Sequence, residues 1–304
     1  IASCPVRRVP ASPPLDVQYA LLFIGDALAS RQALAFMTPR IFFFDIDNTL
    51  LDHRTLSIPA SALQAIGQLK QAGHTIVVAT GRSYGHARPF IEQVDPDYVI
   101  TQNGARILQG DREILSIPLA RNALIRLFDW MQAQGLPYGA NQGATGFLSH
   151  AVPHAIEPLQ TVDMPYQTDD PFYLHSPVHQ AWLFFDESLD KAMMPEILDR
   201  FPDFELVRWH TTGVDVMPRG VNKWTGCQWI LQRTGFTPAQ AIAFGDGLND
   251  IQMLQGVGLG VAMDNGHPQL KAVADHVAPA LHLDGVAVML SRLARANHFH
   301  VIGD

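Results

Sequence analysis

Two carboxylates one residue apart, Asp45 and Asp47, follow directly on Ile41-Phe42-Phe43-Phe44, an apolar run that reads as a short strand buried on both faces. Acids at the end of a buried strand are costly unless they are paired or hold a cation, so these two require partners from elsewhere in the chain. A calcium loop of the D-x-D-x-[DN]-G type would need Gly and Glu where Leu50 and Leu56 stand. Two readings are left for the isolated stretch: a strand ending in a capping turn, or a magnesium and phosphoryl site. Two further strand-like runs also end in polar residues. Ile76-Val77-Val78-Ala79 leads into Thr80-Gly81-Arg82, and Ala241-Ile242-Ala243-Phe244 leads into Gly245-Asp246-Gly247-Leu248-Asn249-Asp250. Lys223 follows Gly220-Val221-Asn222 at an expected helix start. Any one of these ends could be a capping turn, but their coincidence favours the phosphoryl site.

The elements that must bring these groups together are written as an alternation. Residues 58–72 place Ala62, Leu63, Ile66 and Leu69 at helical spacing, with Ser57 as the expected N-cap and Gly73 as the stop. A third strand, Tyr98-Val99-Ile100, reaches Asn103-Gly104, and residues 105–117 predict a hairpin about Gly110-Asp111. Strands and helices alternating at this spacing predict an α/β fold, a Rossmann-like parallel sheet of right-handed crossovers. In such a sheet ligands bind at the C-terminal strand edges, so distant segments can meet in one site. The alternation breaks between residues 119 and 210, which read as an inserted α+β cap. The expected layout is therefore a catalytic core at 37–118 and 211–304 interrupted by the cap, with Val214-Asp215-Val216-Met217 as a core strand. Residues 1–36, with Pro5, Pro10, Pro13 and Pro14, read as a disordered leader or upstream extension ahead of Met37.

Composition narrows the partners. The 304 residues are 47% hydrophobic and 16% charged, enough apolar material for a sizeable core and too little charge for a disordered chain. A net charge of -8 argues against nucleic acid or an anionic membrane as partner. Cys4 and Cys227 have no metal-ligand spacing and form no disulfide framework, as in a protein of a reducing, cytoplasmic compartment. No apolar run reaches the ~18 residues of a membrane span. A small-molecule enzyme, monomer or homodimer, is the expectation. The thirteen histidines show no H-x-x-x-H arrangement and read as loop residues rather than metal ligands.

The combination resembles the haloacid dehalogenase-like superfamily and, within it, the Cof-type sugar-phosphatase group with a large α/β cap. The matching motifs are Asp45-Ile46-Asp47-Asn48-Thr49-Leu50, Thr80-Gly81-Arg82, Lys223 within Gly220-Val221-Asn222-Lys223, and Gly245-Asp246-Gly247-Leu248-Asn249-Asp250, with echoes at Asn103-Gly104-Ala105 and Val261-Ala262-Met263-Asp264-Asn265. The resemblance implies a magnesium-dependent phosphatase of small phosphorylated metabolites such as sugar phosphates, working through an aspartyl-phosphate intermediate. It makes Asp45 the nucleophile and assigns Mg2+ to Asp45, the Asp47 carbonyl, Asp246 and Asp250. Thr80 and Lys223 would stabilise the phosphoryl oxygens, and Gly81, Arg82, Asn103 and Asn249 would help hold the substrate. Asp47 would be the general acid and base. Halide leaves without a proton whereas an alkoxide needs one, so this second acid fits phosphate esters and not haloacids. Asn48 stands where glycine is common in the family, and Asp264 and Gly266 flank Asn265 where Gly and Ala are commoner. Tyr138, His150, Arg208 and His210 are the cap candidates for substrate selection. A phosphomutase on the same core and a non-catalytic phosphometabolite-binding protein are the alternatives; the second has no need of Asp47.

Overall fold

The computed structural model describes residues 38–301. Strand β1 (Ile41–Phe44) lies inside an eight-stranded sheet, parallel to β12 (Ala241–Gly245) on one side and to β2 (Thr75–Ala79) on the other. The sheet continues outward through β13 (Leu259–Met263) and β14 (His276–Ala278) beyond β12, and through β3 (Tyr98–Thr101) beyond β2, all parallel. Strands β4 (Arg106–Gln109) and β5 (Arg112–Ser116) close that edge as the expected antiparallel hairpin. Phe44 stands opposite both Phe244 and Val78, so Asp45, Thr80 and Asp246 emerge at one edge of the sheet.

Both faces of β1 are covered, which is why its residues are apolar without alternation. Phe42 and Phe44 pack with Ile66 and Leu69 of α1 (Ala60–Gln71) and with Leu290 and Leu293 of α9 (Gly285–Arg295). Ile41 and Phe43 share the opposite layer with Cys227 and Ile230 of α6 (Lys223–Thr234) and Leu254 of α7 (Ile251–Gly256). Helices α2 (Tyr84–Val94) and α8 (Pro268–Lys271) complete the layers. Helix α1 starts later than its periodicity indicated. Pro59, not Ser57, is the N-cap residue; it has no side-chain acceptor to offer, and its carbonyl takes the first helical N–H groups, from Ala62 at 3.0 Å and Leu63 at 3.2 Å.

A second, six-stranded sheet has the order β10-β11-β9-β6-β7-β8, formed by β6 (Tyr138–Gln142), β7 (Thr145–Leu148), β8 (Tyr166–Gln167), β9 (Ala181–Phe184), β10 (Phe204–Arg208) and β11 (Gly213–Pro218). Helices α3 (Arg121–Ala133) and α5 (Asp190–Arg200) cover one face through Leu124, Phe128 and Ile197. Helix α4 (Pro153–Thr161) lies on the other, where Ala155 and Leu159 meet Trp182 and Phe184. Residues 214–217, expected as a core strand, instead form part of β11, antiparallel to β10 and β9. The second sheet therefore runs through Pro218 rather than stopping at 210. Alternating Val-Asp-Val reads as a strand in either sheet; only the pairing partners differ.

Candidate active site

The four polar chain segments meet at the C-terminal edge of the parallel strands. Asp45 stays tied to the sheet through its backbone N–H, which donates to Phe244 O at 3.0 Å. Lys223 is the first residue of α6, and the preceding turn is fixed by a capping box: Thr225 N donates to Asn222 Oδ1 and Asn222 N to Thr225 Oγ1, each at 3.0 Å. This aims the buried lysine at two acids. Its Nζ donates to Asp45 Oδ1 at 2.6 Å and to Asp250 Oδ1 at 2.7 Å. Asp250 Oδ2 in turn accepts the backbone N–H groups of Asp246 and Gly247 at 3.1 and 3.0 Å, which folds the loop after β12 back on itself. Gly245 is required at the start of that loop, since a Cβ there would lie 2.6 Å from the Asp250 carboxyl carbon.

Carboxylate oxygens of Asp45, Asp246 and Asp250 all lie within 4.8 Å of one another. One lysine cannot balance three acids, and the imbalance is visible in the proton affinities of Asp45 and Asp246. Burial pushes Asp45 up to about 7 against the pull of Lys223, with Asp250 and Asp47 adding to the rise. Burial, then Asp45 and Asp250, lift Asp246 to about 9. Burial opposes the charge on Lys223, but Asp250 and Asp45 outweigh it and hold the ammonium above the ordinary lysine range.

Asp47 belongs to a separate charge system. Its carboxylate accepts Arg82 Nε at 2.9 Å and Nη2 at 2.6 Å, and His53 Nε2 lies 2.8 Å from Oδ1. Burial works against the carboxylate, yet the His53 and Arg82 hydrogen bonds prevail and hold Asp47 well below the usual carboxylate range. Asp47 in return raises the His53 imidazole above its ordinary value, chiefly by that hydrogen bond. Arg82 is fixed from behind, with its guanidinium 5.2 Å from the Phe90 ring centre and Nη1 donating to His86 Nε2 at 2.9 Å. His86, pushed down to about 4 by burial and then by Arg82, is neutral and can accept that bond.

A cavity of about 590 Å³ opens over these groups, between the strand ends and the α4 face of the second sheet. Asp45, Asp47, Asp246, Gly81, Asn103 and Asn249 line it, and so does Arg82. Thr80, Lys223 and Asp250 lie behind that lining: all are buried, and Thr80 Oγ1 accepts Arg82 N–H at 3.0 Å, leaving its own O–H to donate. Asn103, at φ 52°, accepts from Asn249 Nδ2 at 2.9 Å and so joins the loops after β3 and β12. Asn48 sits at φ 54°, the left-handed region that glycine and asparagine enter most readily. Its departure from glycine is thus conformationally neutral. Asn265 Nδ2 donates to Asn48 O at 2.8 Å and ties this turn to the loop after β13.

Of the four cap candidates only Arg208 lines the cavity, and it is engaged by Asp190 and by the carbonyls of Phe185, His210 and Thr211. Tyr138 is buried in the cap core with its ring 4.3 Å from that of Phe128. His150 is exposed beside Ser149, and His210 closes a turn on Thr212. The polar groups that do face the cavity from the second sheet, Asn141, Gln180 and Asp215, were not singled out from the sequence. Nor were His53 and His86. Their only sequence signal is position, His53 six residues after Asp47 and His86 four after Arg82.

A family model described as haloacid dehalogenase-like hydrolase matches residues 42–290. The Bacillus subtilis (strain 168) protein named "Putative phosphatase YkrA" is 35% identical over 261 residues, spanning 84% of this chain and 98% of that protein. An "HMP-PP phosphatase" of Yersinia pseudotuberculosis is 30% identical, over 76% of this chain and 86% of its own. The solved structure of the subclass IIB sugar phosphatase BT4131 superposes with a TM-score of 0.73 at 25% identity, covering 84% of this chain and 99% of that one. The chain belongs to the haloacid dehalogenase-like hydrolases, in their Cof-type phosphatase group. It is a hydrolase with an α/β core and a cap, as the motifs led one to expect.

Proposed function

We infer that this protein is a cytoplasmic, magnesium-dependent phosphatase that hydrolyses small phosphorylated metabolites through a phosphoryl-enzyme at Asp45. The observation that carries this reading is one buried lysine set between two carboxylates, with a third acid beside them and a second, separately paired acid, Asp47, two residues from the first.

A divalent cation fits the donor set. Three crowded carboxylates, two of them, Asp45 and Asp246, with raised proton affinities, and a single lysine leave uncompensated negative charge, and hard oxygen donors at this spacing suit Mg2+. Asp45, Asp246, Asp250 and the Asp47 carbonyl would hold it. When bound it would neutralise charge between the phosphate dianion and the carboxylate that must approach it.

The protein's own groups then divide the work. The Asp45 oxygen not bonded to Lys223 attacks phosphorus as the ester P–O bond breaks. Asp47, in its protonated form, gives its proton to the departing oxygen. Water next attacks the phosphoryl group on Asp45 and loses a proton to Asp47, the P–O bond to Asp45 breaks, and phosphate and both side chains are restored. Lys223 stabilises the phosphoryl oxygens and Thr80 donates its free hydroxyl proton to them. Gly81, Arg82, Asn103 and Asn249 line the space the substrate would fill.

The test is phosphate release from a panel of phosphate monoesters, with and without Mg2+, by the wild type and by Asp45→Asn. Magnesium-dependent release that falls by about 10³-fold or more in the variant is the expected result. A folded, magnesium-loaded protein that releases no phosphate from any ester, or returns an isomer of a sugar phosphate instead, would overturn the reading.

A further inference from the structure

Two turns of the second sheet bear on the start of α2, and each presents it with a backbone carbonyl. In the turn between β6 and β7, Gly143 O accepts from Ser83 Oγ, and the fit is close: a Cβ on Gly85 would lie 2.6 Å from Ala144 N. The other turn follows α4. There Asp163 adopts φ 52° and spends its N–H on Gln160 O at 3.2 Å, so the backbone group it turns towards His86 is its carbonyl. Its carboxylate charge is felt by His86 and by His53 as well.

His86, in the first turn of α2, thus stands between the cap and the charge system around Asp47. Which hydrogen it carries is decided by its neighbours. A guanidinium only donates, so the 2.9 Å contact from Arg82 Nη1 requires a lone pair on His86 Nε2. Burial and the arginine keep the ring neutral, and its one proton must then sit on Nδ1. Nδ1 is buried and faces the Asp163 carbonyl, but the approach falls short of hydrogen-bond geometry. A small further seating of the cap turn completes that bond, as catalytic contacts tighten when a substrate is enclosed. From His86 the contacts run on to the acid. Arg82, stacked on Phe90, gives Nη1 to His86 and Nε and Nη2 to the Asp47 carboxylate, so a rotation of the guanidinium swings that carboxylate with it.

We propose that His86 is a positioning residue that couples the cap to the general acid: with the turn after α4 seated on α2, the Asp163 carbonyl holds His86 Nδ1–H, His86 Nε2 holds Arg82, and Arg82 presents Asp47 to the departing oxygen. This deepens the phosphatase reading and rests on it. His86 exchanges no proton with the substrate. When the turn lifts, the ring loses its anchor, Arg82 loses its support at Nη1, and an ester then meets the nucleophile without an aimed acid.

The alkoxide of an alkyl ester needs the Asp47 proton in order to leave, whereas nitrophenolate does not, so two ester classes separate aiming of the acid from general damage to the site. The experiment measures kcat/KM with Mg2+ for 4-nitrophenyl phosphate and for whichever of glucose 6-phosphate, glycerol 3-phosphate and pyridoxal 5'-phosphate the wild type hydrolyses fastest. His86→Phe is expected to lower the ratio of alkyl to aryl ester about tenfold, and His86→Gln, whose amide keeps one acceptor and one donor, to restore most of it. Gly85→Ala, which holds the cap off α2 and leaves His86 in place, is expected to lower the same ratio by about threefold or more. Equal losses on both esters in His86→Phe, or an unchanged ratio in Gly85→Ala, would overturn the proposal while the phosphatase stands. No release from any of the esters would overturn the phosphatase reading and the proposal built on it. The wild type alone supplies a second measurement that needs no variant to fold. Nitrogen NMR at neutral pH is expected to show His86 uncharged with its proton on Nδ1, and a proton on Nε2 instead would overturn the proposal whatever the kinetics.

Discussion

In the proposed reaction Asp47 is the proton donor, yet its carboxylate is held firmly in the charged form. Arg82 and His53 keep it below the ordinary range, so proton donation requires that grip to loosen when substrate enters. The sign of its contribution to stability follows. A depressed carboxylate stabilises the fold above its unfolded value near 4, and that contribution is lost as pH falls through the lower folded value. Arg82→Gln is therefore expected to destabilise the protein by roughly 1–3 kcal/mol at neutral pH, with the gap from wild type closing below about pH 4. Denaturant unfolding at several pH values measures this. The same variant should lose about tenfold or more in kcat, because Asp47 is no longer aimed. The acids beside Lys223 have the opposite sign. Asp45 and Asp246 are raised to about 7 and about 9, so without metal their contribution is fully present below about pH 4 and is lost as pH rises through those values. Mg2+ competes with these protons, and its thermal stabilisation of the protein should grow from pH 6 to pH 9. A melting shift independent of pH would remove the acids from the metal site.

At the scale of elements, the site depends on where helices and strands begin. Lys223 is aimed by the first turn of α6, and that turn is held by Asn222 and Thr225. Asn222→Ala should cost about 1 kcal/mol of stability, as cap deletions do, and lower kcat further than that loss alone explains, because the lysine swings away from Asp45. Urea melts read with initial rates separate the two effects. The motifs on the first segments were legible because each is local: a strand signalled by its apolar run, followed at once by the polar residues it presents. Strand β11 was legible as a strand but not as a member of the second sheet, since Val-Asp-Val alternation carries no record of which neighbour it pairs with.

For the whole molecule, the second sheet closes onto the core at a narrow seam. Ser83 Oγ donates to Gly143 O, and a Cβ on Gly85 would lie 2.5 Å from the Gly143 carbonyl carbon. Gly85→Ala is expected to hold the two layers apart, raising KM about tenfold for a substrate that fills the cavity and less for acetyl phosphate, with thermal stability little changed. Kinetics on both esters check this; equal losses would show that closure does not matter. No helix among the described residues is long and apolar enough to cross a membrane. The leader expected at residues 1–36 lies outside the described residues.

The sequence by itself determined the order of strands and helices in the core, the acids and lysine that gather at one sheet edge, and through them the family. These follow from hydrophobic periodicity and from polar residues placed immediately after buried strands, both of which are local properties of a chain. Only the tertiary structure decided which groups hold Asp47, which sheet β11 enters, and that Asn141, Gln180 and Asp215, not Tyr138, His150 or His210, face the cavity. Those outcomes depend on register between segments far apart in sequence, Arg82 reaching back to Asp47 and Asn103 across to Asp215, and on which side of a strand meets solvent, core or cap. Side-chain type cannot specify that, because the same asparagine or aspartate satisfies its hydrogen bonds equally well in a turn, in a core or in a site.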